Sequence, residues 1–351
     1  TAPLVLEAAV DSMEAPPFIQ GGVVHKPFNV KNIKPFVSIF SRSKGISRFL
    51  GHLQKNIVVE YTMDEKKFRI EKDMLGEVQV PAHKYWGVNT QRALENFKIS
   101  KQVFPPVFIY ALAEVKKACL LANIELGVIE ESLGKPILQA ADEILSGKHI
   151  DQFPIDVYQT GSGTQQNMNM NEVLANRANQ ILGEPMGKKT PVHPNDHVNK
   201  GQSSNDVIPT AMHVSAMHSL NESLLPALAT LINSLQEKID AFKGVVKVGR
   251  THLQDAVPIP LSMEFEVYKK QIQNAIGRLN NIIEELQLVP LGGTALGTGI
   301  NAKADLPSLA CKHLSQITKM AFSPNPVLAE GIASHNEIGR ASCRERVCHR
   351  V

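Results

Sequence analysis

Ser203, Ser204, Asn205 and Asp206 stand in a row immediately before an apolar-periodic stretch containing Val207, Ile208, Ala211 and Val214. All four are of the types that cap a helix by accepting a hydrogen bond from a free backbone N–H of the first turn. One such residue makes a cap, and capping is the ordinary explanation for any single member. The set points further. A helix N-terminus with spare hydroxyl and amide donors is a ready anion site, because its free N–H groups and its dipole both favour negative charge. His193, Pro194, Asn195, Asp196 and His197 precede the row. The two histidines could suggest a metal, but no matching Cys, His and carboxylate set accompanies them, and none is expected.

Three further clusters carry chemistry-bearing types. Thr160-Gly161-Ser162-Gly163-Thr164 combines two glycines, which let backbone approach a ligand, with three hydroxyl donors. It lacks the Lys of a phosphate-binding P-loop, so on its own a flexible helix-entry turn is the better reading. Gly249-Arg250-Thr251-His252-Leu253-Gln254-Asp255 reads as a loop between two long helices. A lone His is more often a surface residue than a catalyst, but Thr, Gln and Asp around His252 could orient a ring or a substrate. Gly292 to Gly299, "GGTALGTG", superficially matches a dinucleotide-binding loop. It follows a long helix rather than a strand, so a glycine-rich connection between helices is expected instead.

The elements that position these clusters are mainly helical. Leu224, Leu228, Leu231, Leu235, Ile239 and Phe242 step by three or four, as do Phe265, Tyr268, Ile272, Ile276, Leu279, Ile283 and Leu286. Each series makes an apolar stripe on a long helix. Shorter helical patterns run from Ile109 to Leu126 and from "TGSGTQQN" towards Leu182, and strand signals are confined to the N-terminal portion around "GEVQVP". The expected architecture is a smaller, mainly helical domain over residues 61–200, then part of a long-helix bundle over 201–338.

Bulk composition excludes several partners. With 43% hydrophobic residues a sizeable core is possible, although aromatics are only 5%, so Leu, Ile, Val, Ala and Met must fill it. No apolar run approaches the roughly 20 residues that cross a bilayer, and no membrane partner is expected. The net charge of +3 misleads: with +7 in residues 18–59, −3 in 1–17 and +3 in 339–351, residues 60–338 carry −4. That body gives no argument for nucleic-acid binding. Cys119, Cys311, Cys343 and Cys348 form no CxxC and no dense framework, which fits a reducing compartment without disulfides.

The two ends differ from the middle. Residues 18–59 are basic, acid-free and dotted with Ser38, Ser41, Ser43 and Ser47, the composition of an organelle transit peptide. Residues 1–60 are therefore kept out of the expected fold, with Met13 favoured as the start. A disordered basic tail or untranslated sequence is the bland alternative. At the other end "IGRASCRERV" breaks off a helical stretch without a capping signal and looks like the translation of an adapter oligonucleotide. Residues 339–351 are expected to be an artefactual tail.

Taken together, "FRIEKDMLGEVQVPAHKYWGVNTQRALENF", "GSGTQQNMNMNEV", "HPNDHVNKGQSSND", "GRTHLQDAVP" and "GGTALGTG" closely resemble, in order and spacing, the class II fumarase branch of the fumarase/aspartase superfamily. The resemblance covers about residues 66–338. It implies a mainly α, fumarase/aspartase-like fold and reversible hydration of fumarate to L-malate without a cofactor or metal. It also implies that Ser162, Thr164, Ser203, Ser204, Asn205 and Thr251 hold the substrate carboxylates, and that His252 acts in acid/base transfer. The turn of His193, Pro194, Asn195 and Asp196 is similar to the family's second, peripheral dicarboxylate site.

The same resemblance implies a homotetramer with each active site built from three subunits, and a mitochondrial matrix location, with a cytosolic form left open. The family's mobile GSSxMPGKxNP loop does not occur in the sequence, and "PLSMEF" replaces the usual PLTLGQEF-like run. The chain is accordingly expected to be C-terminally truncated and inactive alone. Two rival readings stay open: a non-catalytic product that binds dicarboxylate or pairs with complete subunits, and an aspartate ammonia-lyase. Aspartases typically carry Gln where this sequence has His252, and NPND where it has His193 to Asp196.

Overall fold

The computed structural model describes residues 68–339 except 337, all within one compact unit, Asp64–Val351. The expected transit segment and nearly all of the expected C-terminal tail, with Cys343 and Cys348, lie outside the described residues. The architecture is mainly α, as the periodicity predicts.

Strands β1 (Phe68–Asp73) and β2 (Gly76–Pro81) form an antiparallel hairpin with Asp73 opposite Gly76. The "GEVQVP" signal is thus a strand, and its Val78 and Val80 are buried. Helix α1 (Val88–Asn96) follows, and its N-terminus is closed by groups from elsewhere. The Glu172 carboxylate accepts hydrogen bonds from the N–H groups of Gly87 (2.8 Å), Asn89 (2.8 Å) and Thr90 (3.1 Å), and Glu71 accepts from Val88 at 2.9 Å. Two carboxylates therefore take up the free donors and face the positive end of the helix dipole. Burial raises the Glu71 pKa, while Arg69, bonded to it at 2.8 Å, opposes the rise.

Helix α2 (Pro106–Glu125) is the central post. Ala111, Leu112, Ala113, Val115, Ala118, Cys119 and Ala122 are all buried, so it is apolar nearly all round, as a helix surrounded by others must be. Its small residues admit close neighbours: α3 (Glu131–Leu145), α5 (Ser204–Ser219) and α8 (Leu306–Thr318) all pack on it. The thiols of Cys119 and Cys311 are free and buried, and burial pushes that of Cys311 up to about 12. Helix α4 (Thr164–Ile181) packs on α1, α3 and α5. The sequence boundary near residue 200 falls in the turn before α5, and the hydrophobic core continues across it.

The two predicted stripes are helices α6 (Leu225–Ala241) and α7 (Leu261–Leu286), packed on each other. Leu228, Ile239, Ile272, Leu279 and Leu286 are buried between and beneath them, whereas Leu231 and Tyr268 of the same stripes are exposed. Between these helices the expected loop is a β-hairpin, β3 (Val246–Thr251) and β4 (Gln254–Pro260). The alternation of Val246, Val248, Val257 and Ile259 is a period-2 strand signal. Its tip, His252-Leu253, has φ of 48° and 61°. A two-residue turn with both φ positive ordinarily uses Asn or Gly, which explains why the residue types concealed it. After the two-residue strand β5 (Leu288–Val289), the glycine-rich segment leads into α8, then β6 (Ser323–Pro324) and α9 (Leu328–Ala333). β5 pairs in parallel with β6.

Two outcomes test these contacts. Replacing Glu172 by Gln puts an amide donor against backbone N–H groups and should lower unfolding stability by on the order of 2 kcal/mol in a denaturant titration. His218 joins α5 to α2, its Nε2 3.0 Å from Glu114 and its Nδ1 2.7 Å from Glu222. The hydrogen bonds to Glu114, then Glu222, raise its pKa to about 9 against burial. A cationic group with a raised folded pKa contributes stability fully below its unfolded value, near 6.5, and loses that contribution as pH rises through about 9. The stability difference between the wild type and His218→Gln should therefore shrink from pH 6 to pH 10; a constant difference would contradict the pairing.

Candidate anion site at the start of helix α5

The row of four capping types does what its spacing suggests, with one residue for each task. Ser203 is the N-cap: its Oγ accepts from Asn205 N–H at 3.2 Å, and its own N–H donates to Asp206 Oδ1 at 2.8 Å, a capping box. Asp206 is fully buried, and its other oxygen accepts from Gly292 N–H (3.1 Å) and Thr294 N–H (2.9 Å). Asn205 donates through Nδ2 to the Ala295 carbonyl at 2.9 Å. Helix α5 thus begins by clamping the glycine-rich turn beside it.

The Thr160–Thr164 turn arrives from the other side. Gly163, with φ 72°, is the N-cap of α4, and a Cβ placed there would stand 2.8 Å from Cγ2 of Ile208. That contact seats the turn against α5, one helical turn from Ser204. One turn into α4, Asn167 donates through Nδ2 to Ser204 Oγ at 3.1 Å. The hydroxyls of Thr160, Ser162 and Thr164 form a chain with spacings of 3.1 and 3.0 Å. Ser162, Thr164, Ser203, Ser204 and Asn205, picked from separate motifs, are therefore neighbours.

Hydrogen-bond direction decides what such a place can hold. Ser203 Oγ already accepts from backbone, and Ser204 Oγ already accepts from an amide. Each hydroxyl keeps a hydrogen to donate, which suits an acceptor and so the need of an anion rather than a cation. Among the described residues no group of three or more His, Cys, Asp or Glu is arranged to hold a metal ion. The floor is charged on both sides. Lys116 of α2 is 2% exposed and donates to Asn199 Oδ1 at 2.7 Å and Gln202 Oε1 at 2.9 Å. Burial lowers its pKa to about 7, against the opposing pull of Cys119 and Asp206, and burial raises that of Asp206 to about 6 despite its backbone donors.

Two predicted site residues lie elsewhere. Thr251 and His252 occupy the exposed tip of the β3–β4 hairpin, which packs on itself and on the start of α7. No side-chain hydrogen bond joins either to the α5 cluster among the described residues. The His193–Asp196 turn lies on a single π-helical turn, Pro194–Val198. His193 Nδ1 accepts from the N–H groups of Asn195 and Asp196, both at 3.2 Å, and lies 3.1 Å from Asp196 Oδ2. Two amides aimed at one nitrogen make it an acceptor, so the carboxylate contact there is secondary. Sequence reasoning missed Lys116, Asn167, Asn199 and Gln202. A Lys in the middle of the apolar run of α2 was the available signal for the first.

Gly163→Ala should test the seating of the turn. A left-handed residue that gains a Cβ against Ile208 should lose about 1–2 kcal/mol of stability, and anion binding at α5 should weaken with it. A variant as stable as the wild type would mean that the turn is not held there.

Comparison with known proteins places the chain. A family model described as Lyase matches residues 76–346. The class II fumarate hydratase of Halobacterium salinarum is 51% identical over 269 residues, covering 77% of this chain and 57% of that protein. Recombinant class II fumarase from Schistosoma mansoni aligns with a TM-score of 0.76 at 37% identity, over 79% of this chain and 61% of that one. Cobalt-bound fumarate lyase:delta crystallin from Brucella melitensis aligns with a TM-score of 0.77 at 41% identity, over 80% and 61%. The chain spans about three fifths of the length of these relatives.

Proposed function

The chain belongs to the lyase family whose model matches residues 76–346, and from that premise we propose that the protein catalyses the reversible hydration of fumarate to L-malate. The observation that carries this reading is the convergence of two polar turns on the start of α5, where the Ser203 and Ser204 hydroxyls already accept from the protein and each keeps a hydrogen to donate. The substrate comes from the names of the relatives, class II fumarate hydratases. Interconversion moves water across C2–C3. Removing the C3 proton builds a second negative charge on the adjacent carboxylate, and donors already in place meet that charge as it forms. Losing one such donor typically raises a barrier by roughly 2.7–4 kcal/mol.

In this reading Ser162, Thr164, Ser203, Ser204, Asn205 and Thr251 bind the substrate carboxylates, and His252 moves a proton at the hydroxyl through an ordered water. The hairpin tip that carries Thr251 and His252 serves the site of another copy in a homotetramer. Support comes from the exposed apolar residues of the hairpin and long helices, among them Val246, Leu253, Met263 and Tyr268, which a neighbouring subunit would cover. The His193–Asp196 turn is read as a peripheral dicarboxylate site, where an arriving carboxylate takes the two N–H groups that the His193 ring holds. The basic, acid-free composition of residues 18–59 supports a transit peptide and a mitochondrial location.

One observation favours a second reading. A single chain gathers the anion donors at α5 but keeps His252 at the hairpin tip, so alone it suits dicarboxylate binding or pairing with complete subunits. Subunit complementation separates the two. His252→Asn and Ser204→Ala should each lower kcat/KM by about 10²-fold or more, followed by fumarate absorbance, with the fold intact. Mixed and reassembled, the two variants should recover part of the activity, because some sites receive both native residues. Unchanged turnover in His252→Asn would remove that residue from the mechanism.

A further inference from the structure

Lys116 is a buried amine with no carboxylate in hydrogen-bond contact among the described residues; there its Nζ donates only to the side-chain carbonyls of Asn199 and Gln202. A buried charge is costly and is kept where its field or its donors are used. The Asn199 carbonyl that accepts from Lys116 also accepts from Asn167 Nδ2 at 3.3 Å. Asn167 in turn donates to Ser204 Oγ at 3.1 Å. When Lys116 is protonated, the directions along this chain are fixed. An ammonium can only donate, so Asn199 presents its oxygen to both neighbours. Asn167 must then direct its NH2 towards Asn199 and Ser204, which occupies a lone pair of the Ser204 hydroxyl and leaves its hydrogen to be donated outward.

We propose that Lys116 is a positioning residue which, through Asn199 and Asn167, sets the Ser204 hydroxyl as a donor to the substrate carboxylate. Without the ammonium, Asn199 is free to turn its amide over, Asn167 follows, and the Ser204 hydrogen is spent inside the protein. Asp206 stands within electrostatic reach of Lys116, so the pair also keeps the floor of the site near neutral when both are ionised. The inference rests on the reading of Ser204 as a substrate ligand.

The test is a double-mutant cycle on the full-length protein in its active assembly, with fumarate as the probe and KM and kcat measured separately. Lys116→Met should raise KM about tenfold, the scale of one misdirected hydrogen bond, with a smaller change in kcat. In a Ser204→Ala background the same substitution should change KM less than twofold, because the hydroxyl it orients is gone. Equal effects in both backgrounds would mean that Lys116 acts only on general stability, and an unchanged KM in the wild-type background would also overturn the proposal. Should Lys116→Met fail to fold, Asn167→Ala, which keeps the ammonium and its two acceptors, must show the same dependence on Ser204. If Ser204→Ala alone leaves kcat/KM unchanged, the substrate reading of the site fails first, and the positioning role falls with it.

Discussion

The Asp206 carboxylate is the constraint on which the site depends. Its three backbone donors, Ser203, Gly292 and Thr294, come from two segments far apart in sequence, and the bonds from Gly292 and Thr294 are buried. One side chain therefore caps α5 and fastens the glycine-rich turn beside it. A buried carboxylate so bonded cannot be replaced by a neutral group without stranding N–H donors. Its raised pKa shows that burial outweighs even those three bonds. The charge is kept at a cost in stability, and Lys116 on the adjacent central helix reduces that cost.

Around this clamp the other parts fall into layers. Helix α2 carries the buried cation, Asn199 and Asn167 pass on its hydrogen-bond direction, and the serines present the result at the surface. Lys116 and Asn167 both donate to the Asn199 carbonyl, and Asn167 donates in turn to Ser204, whose hydroxyl keeps its hydrogen for an acceptor such as a carboxylate. The same helices that leave this face polar leave another face apolar, on α6, α7 and the hairpin. A fumarase-type lyase fold thus supplies a donor-rich site and an uncovered stripe from one set of helices.

Much of this was legible in the sequence. The stripes on α6 and α7 and the helices α2, α4 and α5 follow from apolar spacing, and the capping row at α5 is a local signal read locally. The hairpin was not legible, because His252-Leu253 does not look like a turn that needs positive φ. The tasks of Asp206 and Lys116 were hidden for another reason. Apart from Ser203, their partners lie roughly 80 to 90 residues away, and no pattern along the chain records a tertiary hydrogen bond. The motifs gave the types in the site, and the resemblance gave their roles. Only the fold shows that the Thr160–Thr164 turn and α5 share a place while His252 stands apart.

The most direct measurement is a crystal structure of the assembled protein with succinate, an unreactive dicarboxylate of the same length. A succinate carboxylate should lie within hydrogen-bond distance of the Ser203 and Ser204 hydroxyls and the Asn205 amide. The hairpin tip of a neighbouring copy, bearing His252, should lie beside it. Succinate bound away from the start of α5, with those hydroxyls turned to protein acceptors, would contradict it.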